Sequence, residues 1–180
     1  MAEFPRLNGV IRALEQGQSA FVTFSPAEIG AAQAINAAPY DGVVFEMEHR
    51  PYDIRSLRDC LQFMLDRRQI LRSGSLAPQV TPFVRIPPNG GEVSQWVAKQ
   101  VLDQGVYGIV WPHVSTVEEA RNAVTACRYP RPRAAAYFEP PDSAVMRRPP
   151  PHAIGGSPRP SIIRAPMYGR LILRAKSWLQ

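Results

Sequence analysis

Acid is missing from the end of this chain: residues 143–180 hold no Asp or Glu against seven basic residues, Arg147, Arg148, Arg159, Arg164, Arg170, Arg174 and Lys176. The whole chain carries 21 Lys and Arg against 15 Asp and Glu, a net charge of +6. Setting those seven aside leaves 14 basic residues against 15 acidic ones in residues 1–142, so the basicity belongs to the tail alone. A basic tail can bind nucleic acid or an anionic membrane. This one has no heptads, no amphipathic face and six prolines, so neither nucleic acid nor membrane is expected as a partner.

Long apolar runs are missing too. Nothing approaches the roughly 20 residues that cross a bilayer, and the first residues lack a basic region followed by a hydrophobic core. The cytoplasm is therefore the expected location. Cysteine is scarce: Cys60 and Cys127 both fall in segments of helical periodicity, which reads as two buried thiols and no disulfide framework. A Gly-rich phosphate loop is also absent after the first expected strand, where Ser25-Pro26-Ala27-Glu28 stands instead. That argues against a dinucleotide-binding doubly wound sheet.

What is present suffices for one domain with a single core: 180 residues, 45% hydrophobic. Residues 42–53 (GVVFEMEHRPYD) form an apolar run that ends in two carboxylates and an imidazole. Such a run reads as a buried parallel strand delivering polar groups to the rim of a sheet or barrel. The alternative is a strand whose last residues are merely solvated.

The run sits within a repeated alternation. Residues 5–17 carry Leu7, Val10, Ile11 and Leu14 at helical spacing. Residues 19–24 read as a strand followed by a helix to about residue 37, with Ser25 as a cap and Pro26 in its first turn. Residues 42–48 then lead to a helix over 52–71. Residues 82–86 (PFVRI) lead to a helix over 92–104, stopped by Gly105. Residues 106–111 lead through Pro112-His113-Val114 to a helix over 116–127, where Thr116 and Glu119 have the spacing of a capping box. Four strand-helix units imply an α/β fold with a parallel sheet. A barrel would place Glu46, Glu48, His49, Arg85 and His113 together at the C-terminal ends of its strands, but a complete one takes about 250 residues.

The segments Glu-Met-Glu-His-Arg-Pro (46–51), Phe-Val-Arg-Ile-Pro (83–87), Val-Leu-Asp-Gln-Gly (101–105), Gly-Ile-Val-Trp-Pro-His-Val (108–114), Glu-Glu-Ala-Arg (118–121) and Arg-Tyr-Pro (128–130) resemble, in order and spacing, the HpcH/HpaI aldolase/citrate lyase family. The resemblance covers residues 5–141 and implies the N-terminal half of a (β/α) TIM-type barrel. It also implies a class II pyruvate aldolase, a carbon-carbon lyase that cleaves a 4-hydroxy-2-oxo acid to pyruvate and an aldehyde. His49 then matches the general base, Glu46 the acid that pairs with it, and Arg85 the group that holds the substrate carboxylate. Glu48, Asp103 and His113 are rim candidates. The family resemblance further implies a homo-oligomer and a divalent cation, Mg or Mn, held by a Glu and an Asp on later strands. No counterpart of those two strands follows residue 141, so the metal ligands are expected to be missing from this chain.

Residues 130–141 still fit the family text, and then the likeness stops. Residues 142–180 are Arg- and Pro-rich without periodicity, as in a GC-rich gene read out of frame. Read one base earlier, the codons of Pro166-Met167-Tyr168-Gly169 permit Ala-Asp-Val-Trp, and those of Ala153-Ile154-Gly155-Gly156 permit Arg-Tyr-Trp-Gly, both in the family's text. The expectation is a frameshift near Asp142, giving four β/α units (1–141) followed by an irregular, out-of-frame tail (142–180). A half barrel of this kind exposes its first and fourth strands as open edges and has impaired activity. The competing reading is a non-catalytic binding or interaction protein with a basic tail.

Overall fold

The computed structural model describes residues 6–90 and 93–128, and the backbone of 171–174. In chain order the elements are α1 (Gly9–Glu15), β1 (Val22–Ser25), α2 (Ile29–Asn36), β2 (Gly42–Glu46), α3 (Ile54–Met64), α4 (Arg67–Ser73), β3 (Thr81–Arg85), α5 (Trp96–Asp103), β4 (Gly108–Trp111), α6 (Val117–Ala126) and β5 (Leu171–Arg174). The strands form one sheet in the order β1-β2-β3-β4-β5, with every neighbouring pair parallel. A doubly wound sheet reverses its strand order at a switch point, whereas a barrel adds each strand beside the last. The observed order is that of an incomplete barrel.

Both faces of the sheet are covered, which is why β2, β3 and β4 read as nearly continuous apolar runs. Toward the helices, Phe45, Met47, Val84, Ile86, Ile109 and Trp111 pack on Leu57, Cys60, Val97, Val101 and Ala123. Each large side chain fully buried there contributes about 1.5–3 kcal/mol. On the inner face Val44, Phe83 and Val110 meet Val10 of α1. Helix α1 is pinned below them: Asn8 caps it by accepting from the Ile11 amide, and the Gly9 amide donates to Thr81 Oγ1 at 2.9 Å. It closes the N-terminal end of the sheet, leaving the polar strand ends at the other rim.

Three local differences from the sequence expectation have physical causes. The helix expected over 52–71 is two helices, because Asp66 accepts from the amides of Arg68 and Gln69 and caps a new start just after Leu65 turns extended. Ser25 does not cap α2; its hydroxyl donates to the Pro26 carbonyl, and the helix begins after Glu28. Residues 171–174 are a strand rather than irregular tail: the Leu-Ile-Leu triplet pairs with the open edge of β4, so that among the described residues the open edges are those of β1 and β5. The rest of the tail lies outside the described residues. Among the described residues no helix is long and apolar enough to cross a membrane.

Candidate active site

Glu46 ends β2 and Arg85 ends β3, and the two are register partners. Glu48 lies two residues beyond Glu46, on the same side of the extended chain, since side chains alternate along a strand. Three cationic or imidazole groups converge on these two carboxylates. Arg85 Nη2 donates to Glu46 Oε2, and Arg85 Nε stands 3.0 Å from Glu48 Oε2. That second contact is Coulombic, because the Nε–H finds no aligned acceptor. The guanidinium also lies over the Phe24 ring, 4.8 Å from its centroid, a cation–π contact that fixes its plane.

Glu48 is the hub. Its side chain is only 4% exposed, and both of its oxygens are engaged: His113 Nε2 stands 2.9 Å from Oε1, and His49 Nε2 stands 3.6 Å from Oε2. Both imidazoles are 70% exposed, so each rests on a buried carboxylate while its ring stays open to solvent. A buried glutamate persists only where cations or donors compensate it.

Glu46 does different work from that expected of it. Its Oε1 accepts from the amides of Glu48 (2.7 Å) and His49 (3.2 Å), which fastens the turn that presents the imidazole. Burial by itself pushes the Glu46 carboxyl up, but the Arg85 hydrogen bond, the two amides and the Arg85 charge together hold it below the ordinary value. The expectation that Glu46 pairs with the His49 ring is corrected: the ring faces Glu48, because Glu46 is already saturated by Arg85 and the backbone. Asp103 is exposed at the end of α5, the helix that leads into the start of β4. It therefore stands at the opposite end of the sheet from Glu46 and Arg85 and does not join them within this chain.

Glu48 and His113, both rim candidates by sequence, are brought together here. The spacing of Glu46 and Glu48 already placed both on one face. His113 carried a weaker sign, and its backbone shows why the position is special: at φ 56° it is one of two non-glycine residues in the left-handed region among the described residues. That conformation costs about 1–2 kcal/mol for an ordinary side chain.

These residues do not fit a divalent metal by themselves. Among the described residues no group of three or more His, Cys, Asp or Glu side chains is arranged to hold one. Each carboxylate oxygen at the rim is already directed at Arg85, an imidazole or a backbone amide.

A consecutive parallel sheet with acid, imidazole and guanidinium gathered at its C-terminal rim is the arrangement of part of a (β/α) barrel. The chain belongs to the HpcH/HpaI aldolase/citrate lyase family, whose model matches residues 21–137. A hydroxypyruvate/pyruvate aldolase of Roseobacter denitrificans is 35% identical over 125 residues, 69% of this chain and 43% of that protein. A 5-keto-4-deoxy-D-glucarate aldolase of Escherichia fergusonii is 33% identical over 56% of this chain and 33% of its own length. The crystal structure of a HpcH/HpaI aldolase/citrate lyase family protein from Burkholderia cenocepacia superposes with a TM-score of 0.54 at 28% identity, covering 69% of this chain and 44% of that one. The chain thus spans less than half the length of these relatives.

Proposed function

We propose that this chain carries the proton-transfer and carboxylate-binding half of a pyruvate aldolase site, acting on a 4-hydroxy-2-oxo acid. The observation that carries the reading is Glu48, buried between Arg85 and two imidazoles at the ends of β2, β3 and β4. Retro-aldol cleavage begins with removal of the 4-hydroxyl proton. His49 takes it at an exposed ring nitrogen, and Glu48 stabilises the imidazolium that forms. The bond between C3 and C4 then breaks, releasing an aldehyde and leaving the electron pair on the pyruvate enolate. Arg85 meets the substrate carboxylate, while Glu46 and Glu48 hold the guanidinium in position.

The divalent cation and the homo-oligomer of the family belong to this reading as well. The metal carboxylates lie on strands that a frameshift near Asp142 displaced from the reading frame, which leaves the 180-residue product impaired.

The test is pyruvate release from a 4-hydroxy-2-oxo acid with Mg²⁺ or Mn²⁺ present, by the 180-residue chain and by the product of the same gene with its frame restored at codon 142. Release is expected from the restored chain and should fall by about 10²–10⁴ in its His49→Ala variant. No release from the restored chain rejects the lyase reading. Ordinary turnover by the 180-residue chain rejects the impairment.

A further inference from the structure

We infer that two copies of this 180-residue chain pair edge to edge, β5 of each against β1 of the other, and so close one ring from two open sheets. This assembly goes beyond the lyase reading and does not depend on it. It begins with the backbone of β1. The Phe21 carbonyl accepts from the amides of Asp41 and Gly42, and the Phe21 amide donates to Asp41 Oδ2 at 2.8 Å. Residue 21 thus spends both of its backbone groups on the β2 side, and successive residues of a strand turn theirs to opposite sides. The amides of Val22 and Phe24 therefore point away from the sheet, at an edge that pairs with nothing among the described residues.

The side chains of β1 are unfinished in the same way. Phe24 is the register partner of Val44, which is buried in the inner-face cluster with Phe83 and Val110, yet Phe24 is 55% exposed. An inner-facing aromatic beside a buried valine lacks the next strand that would cover it. At the far side of the sheet β5 presents the matching open edge.

A second copy is the occupant that these edges select. Only six residues follow Arg174, whereas a connection to a further parallel strand takes about a dozen or more. Charge also decides which edges meet. Residues 13–49, which hold β1, contain five acids and no Lys or Arg, and Glu28 among them is 68% exposed. Residues 143–180, which supply β5, contain seven basic residues and no acid. Pairing β1 with β5 of the other copy joins opposite charges, whereas β1 with β1 or β5 with β5 joins like ones. The contact also continues the parallel order of the sheet. Formed twice about one two-fold axis, it leaves no open edge. The second copy's β5 then stands beside Phe24, whose ring lies against the Arg85 guanidinium, and walls the Glu46–Arg85 rim on that side.

The test is the mass of the unmodified 180-residue protein by sedimentation equilibrium across a concentration series, with amide exchange followed by NMR on the same samples. The mass should reach twice that of the chain and stop there. As the dimer forms, exchange at Val22 and Phe24 should slow by about tenfold or more. Val22→Pro removes one outward donor, at an edge position where proline is tolerated, and should leave a folded monomer. A monomer at every concentration overturns the inference, and so does a mass that keeps growing, the sign of an open-ended stack. A dimer in which Val22 and Phe24 exchange as fast as in the dilute chain overturns it, even if the variant does not fold. A folded Val22→Pro variant that still dimerises overturns it as well. None of these measurements uses pyruvate release, so failure of the dimer and failure of the lyase reading are separate results.

Discussion

Glu46 and Arg85 face each other across β2 and β3 as register partners, and their side chains pair at the last residue of each strand. The pairing serves position more than net stability. Two carboxylates and one guanidinium at 12%, 4% and 19% side-chain exposure are largely removed from water, and the desolvation they suffer offsets much of their attraction.

Removing the cation alone is therefore the harshest change at this rim. Arg85→Met leaves Glu46 and Glu48 buried side by side with no guanidinium between them. The expected loss is about 3 kcal/mol, read from the midpoint of urea unfolding. The double variant Arg85→Met with Glu46→Gln should recover part of that loss.

Acid should act on the same pair. The Glu46 carboxyl is lowered in the folded chain from an ordinary value of 4.5, so its contribution to stability is present above that value and is lost as pH falls through the lower folded one. Glu46→Gln should flatten the fall in stability below about pH 4.5. An acid limb of unchanged slope, measured by urea unfolding at several pH values, would count against this account.

At the opposite end of the sheet, Gly42 is held by contact. A Cβ there would lie 2.9 Å from Val10 Cγ2, 3.0 Å from Phe83 Cε2 and 3.2 Å from the Thr81 carbonyl oxygen. Two of these belong to the inner-face cluster and the third is backbone, so the neighbours cannot all withdraw. Gly42→Ala should cost about 1–3 kcal/mol and loosen α1, seen as faster amide exchange at Ile11 and Arg12.

Cys60 is buried against the helix-side core, and burial first, then the charge of Asp59, pushes its thiol up to about 11. A disulfide reagent at pH 8 should leave it unmodified in the folded chain and react promptly in urea. Prompt reaction in native buffer would show that α3 opens away from the sheet.

The alternation of elements was legible because each signal is local. The Thr116–Glu119 capping box forms as its spacing demands, and Gly105 ends the α5 segment at φ 102°. The apolar runs of β2 and β4 announced burial on two faces. The break in the helix expected over 52–71 was not legible, because the Asp66 carboxylate competes for backbone amides inside an otherwise helical pattern, a contest that periodicity does not register. The role of β5 was illegible, since a three-residue apolar run in an Arg- and Pro-rich tail becomes a strand only where an edge stands open for it.

The sequence by itself determined the family and the order of strand and helix, and it marked Glu46, Glu48, His49, Arg85 and His113 for the strand ends while wrongly adding Asp103 to the rim, because these readings depend on chain-local periodicity and on motifs read in order. Only the tertiary structure decided who pairs with whom. Glu46, Glu48, Arg85, His49 and His113 come from three different strand ends, and the sheet register alone put Arg85 opposite Glu46 and left Glu48 for the two imidazoles. Charge pairing is settled by distances of a few ångströms between segments far apart in the chain, and no periodicity within one segment carries that information.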